Sequence, residues 1–77
     1  MSYTYDTFRA VTDSKTATAV MTCLEQEDGS RSDEEAAAWA HLRALDDDEW
    51  EPVRRALVDH GGAEGRAVIE AVEEDRW

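Results

Sequence analysis

Apolar residues return at intervals of three and four along nearly the whole chain, and this spacing is the strongest limit on what the chain can fold into. Ala17, Val20, Met21 and Leu24 share one helical face; so do Ala38, Leu42 and Leu45, then Trp50, Val53 and Leu57, then Val68, Ile69, Ala71 and Val72. The spacing predicts helices over about 14–27, 33–45, 49–60 and 63–75. The expected architecture is all-α, a compact bundle of three to four short helices in one domain spanning 1–77. Residues 3–12 fit either a short helix capped by Thr4, with Tyr5, Phe8 and Val11 inward, or an edge strand; helix is the preferred reading.

Capping signals set the expected boundaries. Asp13 or Ser14 opens the first long helix, and Gly29 supplies a left-handed stop. Ser32-x-x-Glu35 has capping-box spacing, and Asp33 to Glu35 suit the positive end of a helix dipole. Trp39 is expected on the flank of that helix. Asp48 is read as the cap of the next one, with Glu51 closing the box and Pro52 in the first turns, where a missing N–H matters least. Glu51 and Arg55 form a well-oriented i,i+4 pair, and Gly61-Gly62 ends the helix.

The core these faces can build is thin. Leu, Ile, Val and Phe supply only 12 of 77 residues, below the roughly 20% under which a chain struggles to stay ordered. Three Trp and two Tyr partly compensate, because each aromatic buries a large area. Self-association into a homodimer, or a partner, is an expected further source of stability.

Charge is the second constraint. The formal net charge is −11, unevenly distributed. Residues 1–24 are neutral; residues 25–51 hold eleven acids against Arg31 and Arg43; residues 52–77 hold six acids against four arginines. Direct binding to nucleic acid is disfavoured because phosphates are repelled, and an anionic membrane surface is disfavoured for the same reason. The natural complement is a basic protein surface.

Little in the chain points to catalysis or cofactors. Cys23 is the sole cysteine, placed by helical phase away from the apolar stripe, and His41 and His60 are the only histidines. Neither multi-cysteine nor His-x-x-x-His ligand spacing exists. Both histidines are read as structural, His41 on a helix flank and His60 at a helix C-terminus, where positive charge is favoured. Counted from Asp46, a calcium loop would need an oxygen ligand where Trp50 stands and a glycine where Glu51 stands. No phosphate cradle or nucleophile elbow occurs, so the expectation is no enzyme activity, no cofactor and no metal. The opening "MSYTYDTF" has neither a basic n-region nor an apolar h-region, and the longest apolar run, "AAAWA", is too short to span a bilayer. A soluble, cytoplasmic protein is expected.

The carboxylates themselves remain. Glu25, Glu27 and Asp28 crowd the end of one helix, and Glu73, Glu74 and Asp75 the end of the last, where acids oppose the dipole. In an up-and-down bundle Asp46 to Glu51 and Glu73 to Asp75 share one end, and Glu25 to Asp28 and Asp33 to Glu35 share the other. One explanation is a row of carboxylates imitating phosphates in a basic groove. Another is a salt-adapted or high-GC chain that is acidic for solubility, which one Lys against seven Arg also fits. A third is the neutralising half of a toxin–antitoxin pair.

In its size, charge and helical pattern, and in letters at "YTYDTF" and "LDDDEW", the chain resembles the small, acidic, phage-encoded anti-CRISPR proteins. The resemblance implies a helical, non-enzymatic inhibitor that covers the DNA- or PAM-binding surface of a CRISPR effector. It carries over no individual site residue, and the neutral first third departs from a uniformly acidic mimic. The expected partner-binding residues, read from the chain itself, are Asp46, Asp47, Asp48, Glu49 and Glu51, followed by Glu25, Glu27 and Asp28. Within that set Asp48 and Glu51 also serve the helix start, so Asp46, Asp47 and Glu49 are the ones expected to have no structural duty.

Overall fold

A computed structural model describes residues 3–25 and 33–76, with the side chains of 75 and 76 outside that set. Among the described residues the chain is all-α, as its spacing predicts, with five helices and no strand. They are α1 (Tyr5–Arg9), α2 (Ser14–Leu24), α3 (Asp33–Arg43), α4 (Asp47–His60) and α5 (Gly62–Arg76).

The ambiguous opening resolves as helix. Thr4 is the N-cap of α1, in extended backbone, and the Thr7 hydroxyl accepts the Thr4 N–H at 3.1 Å. Only one of its three expected inward residues is buried. Phe8 is fully enclosed, whereas Tyr5, at the first position of the helix, and Val11, beyond its end at Arg9, are exposed. Arg9 closes the end by donating to the Thr12 carbonyl at 2.9 Å.

Helix α2 starts where its signal places it. The Asp13 carboxylate accepts the Thr16 N–H at 2.8 Å, satisfying one of the donors a helix start leaves open. The helix stops at Leu24 with Glu25 as C-cap, three residues short of the expected end. Gly29 and the Ser32 cap lie outside the described residues. Ala17, Val20 and Leu24 are buried as their spacing requires, and Met21 is half-buried. Cys23 is buried too, contrary to the helical-phase reading. Ala19 and Cys23 widen the buried stripe because α2 is covered on more than one side: it packs against α1, α3 and α5.

Helix α3 buries Ala38, Leu42 and also Trp39, which the sequence reading places on the flank. Arg43 sits 5.6 Å from the Trp39 ring centroid and reaches the Ala71 carbonyl on α5. The helix ends at Arg43 rather than 45, and α3 packs on α2 and α5. The layout is thus two helical hairpins, α2–α3 and α4–α5, joined through α3 against α5, rather than a simple up-and-down series.

The α4–α5 corner is unusually tight. Gly61 caps α4, and Gly62 takes φ +62°, a left-handed conformation that glycine adopts without steric cost. A Cβ on Gly65 would stand 2.5 Å from the Leu57 carbonyl oxygen, so the two backbones meet directly. The core assembled around these pairs draws on every helix: Phe8, Val20, Leu42, Val53, Leu57 and Val72 are its largest fully buried apolar members.

Candidate functional site

The acidic turn of α4 is built by a helix start that the sequence reading places two residues too late. Asp46, not Asp48, is the N-cap, and Glu49, not Glu51, closes the capping box: its carboxylate accepts the Asp46 N–H at 3.1 Å. The Asp46 carbonyl accepts the N–H of Glu49 at 3.0 Å and of Trp50 at 2.8 Å. The deciding signal is apolar. With Asp46 as cap, Leu45 and Trp50 take the two positions that pack as a hydrophobic staple, and both are buried in one core. Starting at Asp48 would waste that pairing.

This shift reverses the expected division of labour. Asp46 and Glu49 have a structural duty after all, whereas Asp48 holds no side-chain hydrogen bond or ion pair among the described residues. Glu51 pairs with Arg55 at 3.3 Å, as the i,i+4 spacing predicts, with both side chains exposed. All five acids, Asp46 to Glu49 and Glu51, lie at the surface. Pro52 falls deeper than expected, at the sixth helical position, so the Asp48 carbonyl loses the N–H it would otherwise accept.

Behind this turn the end of α5 acts as a brace. One oxygen of Glu73, Oε2, accepts Trp50 Nε1–H at 3.0 Å and Arg54 Nε–H at 2.9 Å. Trp50 is 3% exposed, so its indole N–H must find an acceptor inside the protein. Glu73 still opposes the dipole of its own helix, and what it contributes lies elsewhere. Its role is tertiary, and it fixes the first turns of α4 against α5. It also brings Glu73 and the acidic turn to the same end of the molecule, as expected.

Of the second acidic set, Glu25 is exposed at the end of α2, while Glu27 and Asp28 lie outside the described residues. Glu25 stands near a further contact: the Tyr3 hydroxyl donates to Glu64 Oε2 at 2.8 Å. That bond, burial, and the negative charges of Glu64 and Glu25 hold the Tyr3 pKa above its usual 10.0.

One cluster has the residue types of nucleophilic catalysis. Thr16 Oγ1 and His41 Nε2 are 2.9 Å apart, and Asp13 lies beside Thr16. The bond from the Thr16 side chain, then that from its N–H, hold the Asp13 carboxyl below its usual 3.8, with His41 and Arg9 adding to the effect. The wiring is wrong for activating a hydroxyl. A base must take the hydroxyl proton and be oriented by the acid, whereas here the acid contacts the threonine and not the ring. Thr16 is also 2% exposed. The cluster ties α2 to α3, which is the structural role expected for His41.

Among the described residues no group of three or more His, Cys, Asp and Glu side chains is arranged to hold a metal ion. No helix is long and apolar enough to cross a membrane. Open grooves among the described residues include one of about 370 Å³ between α2 and α3 and one of about 460 Å³ along α4 and α5. No protein-family model, curated protein or solved structure matches the chain.

Proposed function

We propose that this protein is a non-enzymatic, anti-CRISPR-like inhibitor or interaction protein that presents the first turns of α4 to a basic, nucleic-acid-binding groove on a partner protein. The observation that carries the reading is a braced display. Asp47, Asp48 and Glu51 lie exposed on a helix start that is capped from within by Glu49 and held from behind by Glu73. A rigid row of carboxylates loses little conformational freedom on docking, and it complements a groove built for phosphates.

Affinity capture from host lysate, with and without competing DNA, tests this reading. The expected partner is basic, binds nucleic acid and is released by DNA. The charge reversal Asp47→Lys with Asp48→Lys leaves the Asp46–Glu49 cap in place and is expected to abolish capture. Capture that ignores both DNA and the reversal would sink the proposal.

A second reading is supported by the spread of the exposed acids, since Asp6, Glu34, Asp59 and Glu70 also face solvent far from the α4 turn in sequence. On that reading the acidity serves solubility in a salt-adapted regulatory domain. Circular dichroism from low salt to molar KCl separates the two: the inhibitor keeps its helicity throughout, whereas the salt-adapted domain gains helicity as salt rises.

A further inference from the structure

The groove along α4 and α5 is lined by Val58, Gly62, Ala63, Arg66, Ala67 and Glu70. Three of its properties bear on what it can bind. Val58 is 53% exposed, the most exposed large apolar side chain of the described residues. Ala63 and Ala67 lie one turn apart on α5 and are also exposed, so another helix can approach the backbone closely there. Arg66 and Glu70 flank them, again one turn apart. Neither has a hydrogen bond or ion pair among the described residues, although i,i+4 spacing would permit one. Arg preceding Glu is the weaker orientation for such a pair, which leaves both charges available.

From these we infer that the α4–α5 groove is a self-association surface, and that its occupant is the same face of a second copy of this chain. The argument is charge complementarity. A two-fold axis sets a face against itself, so a patch binds its own copy only if it is self-complementary. When two α5 helices cross antiparallel, Arg66 of each copy opposes Glu70 of the other, and two ion pairs close around the small residues. The groove lining is neutral in a chain whose net charge is −11, so pairing here does not press acid against acid. Val58 of each copy then packs over the alanines of the other.

The surface is separate from the acidic turn. Val58 stands eleven residues beyond Asp47 on α4, about 16 Å along the helix axis. A dimer built on this groove leaves both acidic turns uncovered and displays two of them. The inference does not depend on the inhibitor reading, and its test reads self-association alone. The contact is small, so the expected dimer is weak, dissociating in about the micromolar range.

Sedimentation velocity on the full chain, from about 1 µM to about 1 mM, tests the inference. The wild type is expected to move from monomer to dimer across this range. Arg66→Glu and Glu70→Arg, each opposing like charges across the axis, are each expected to weaken the dimer by about tenfold or more. The double swap Arg66→Glu with Glu70→Arg restores it, and mixing the two single variants yields a mixed dimer tighter than either alone. Both residues are exposed and unbonded, and unchanged circular dichroism verifies that the variants remain folded. A wild type that stays monomeric throughout, or single variants that dimerise as well as wild type, would overturn the inference.

Discussion

The start of α4 and the end of α5 both carry acids in quick succession, yet the two runs do opposite things. At the start of α4 acids lie with the helix dipole. Two of them, Asp46 and Glu49, close the cap, and the remainder face outward. At the end of α5 they lie against the dipole, and Glu73 there is turned inward onto Trp50 and Arg54. Glu73, at an unfavourable helix end, thus has a partner across the fold, whereas Glu25 and Glu74 at such ends lie exposed like the outer acids of α4. The contrast shows that a carboxylate run divides by partner and not by position in the run.

The comparison breaks most sharply at Glu73. Replacing it with Ala strands the buried Trp50 N–H and frees Arg54, and a loss of about 2–3 kcal/mol in urea unfolding is expected. Glu73→Gln keeps an acceptor for the indole and should cost about 1 kcal/mol. Equal losses from both variants would show that the ion pair, and not the indole bond, is the brace. Next comes the cap: Asp46→Ala is expected to lower stability by about 1 kcal/mol. Asp48→Ala should stay within about 0.5 kcal/mol, as befits an exposed side chain without a bond. The reverse order would restore the later helix start that the letters suggest.

The smallest effect is read in the pH dependence, through Asp13, another acid at a favourable helix end. Its folded pKa lies below 3.8, so its contribution to stability is present above that value and is lost as pH falls through the lowered folded value. Asp13→Asn should flatten this part of the acid limb in a denaturation series. Tyr3 runs the other way. Its raised pKa gives a contribution that is complete below pH 10.0 and lost as pH rises through the folded value, and Tyr3→Phe should remove that alkaline step.

Much of the fold was legible in the letters because helical spacing is local. The buried positions Ala17, Val20, Leu24, Leu42, Trp50, Val53, Leu57 and Val72 follow directly from intervals of three and four. Cys23 and Trp39 escaped because their burial depends on a second neighbouring helix, which no local interval reports. The candidate site was legible as composition but not as geometry. "DDDEWE" contains two overlapping capping boxes, Asp46 with Glu49 and Asp48 with Glu51, and acid spacing alone cannot choose between them. Leu45 and Trp50 choose, because only the earlier start buries both as a staple. The Glu73 brace spans 23 residues from Trp50, and its one sequence signal is that a buried tryptophan needs an acceptor somewhere.

The glycine corner between α4 and α5 has a consequence for how the chain folds. Gly61, Gly62 and Gly65 let two consecutive helices meet backbone to backbone with almost no loop to close. Bringing them together therefore carries little of the entropy cost that delays distant pairings. On this ground the hairpin is the expected nucleus, with α3, which it meets through the Arg43–Ala71 contact, expected to dock later. A Cβ at Gly65 should accordingly slow folding and leave the unfolding rate nearly unchanged, giving a transition-state φ-value near 1 at the corner and lower values in α2.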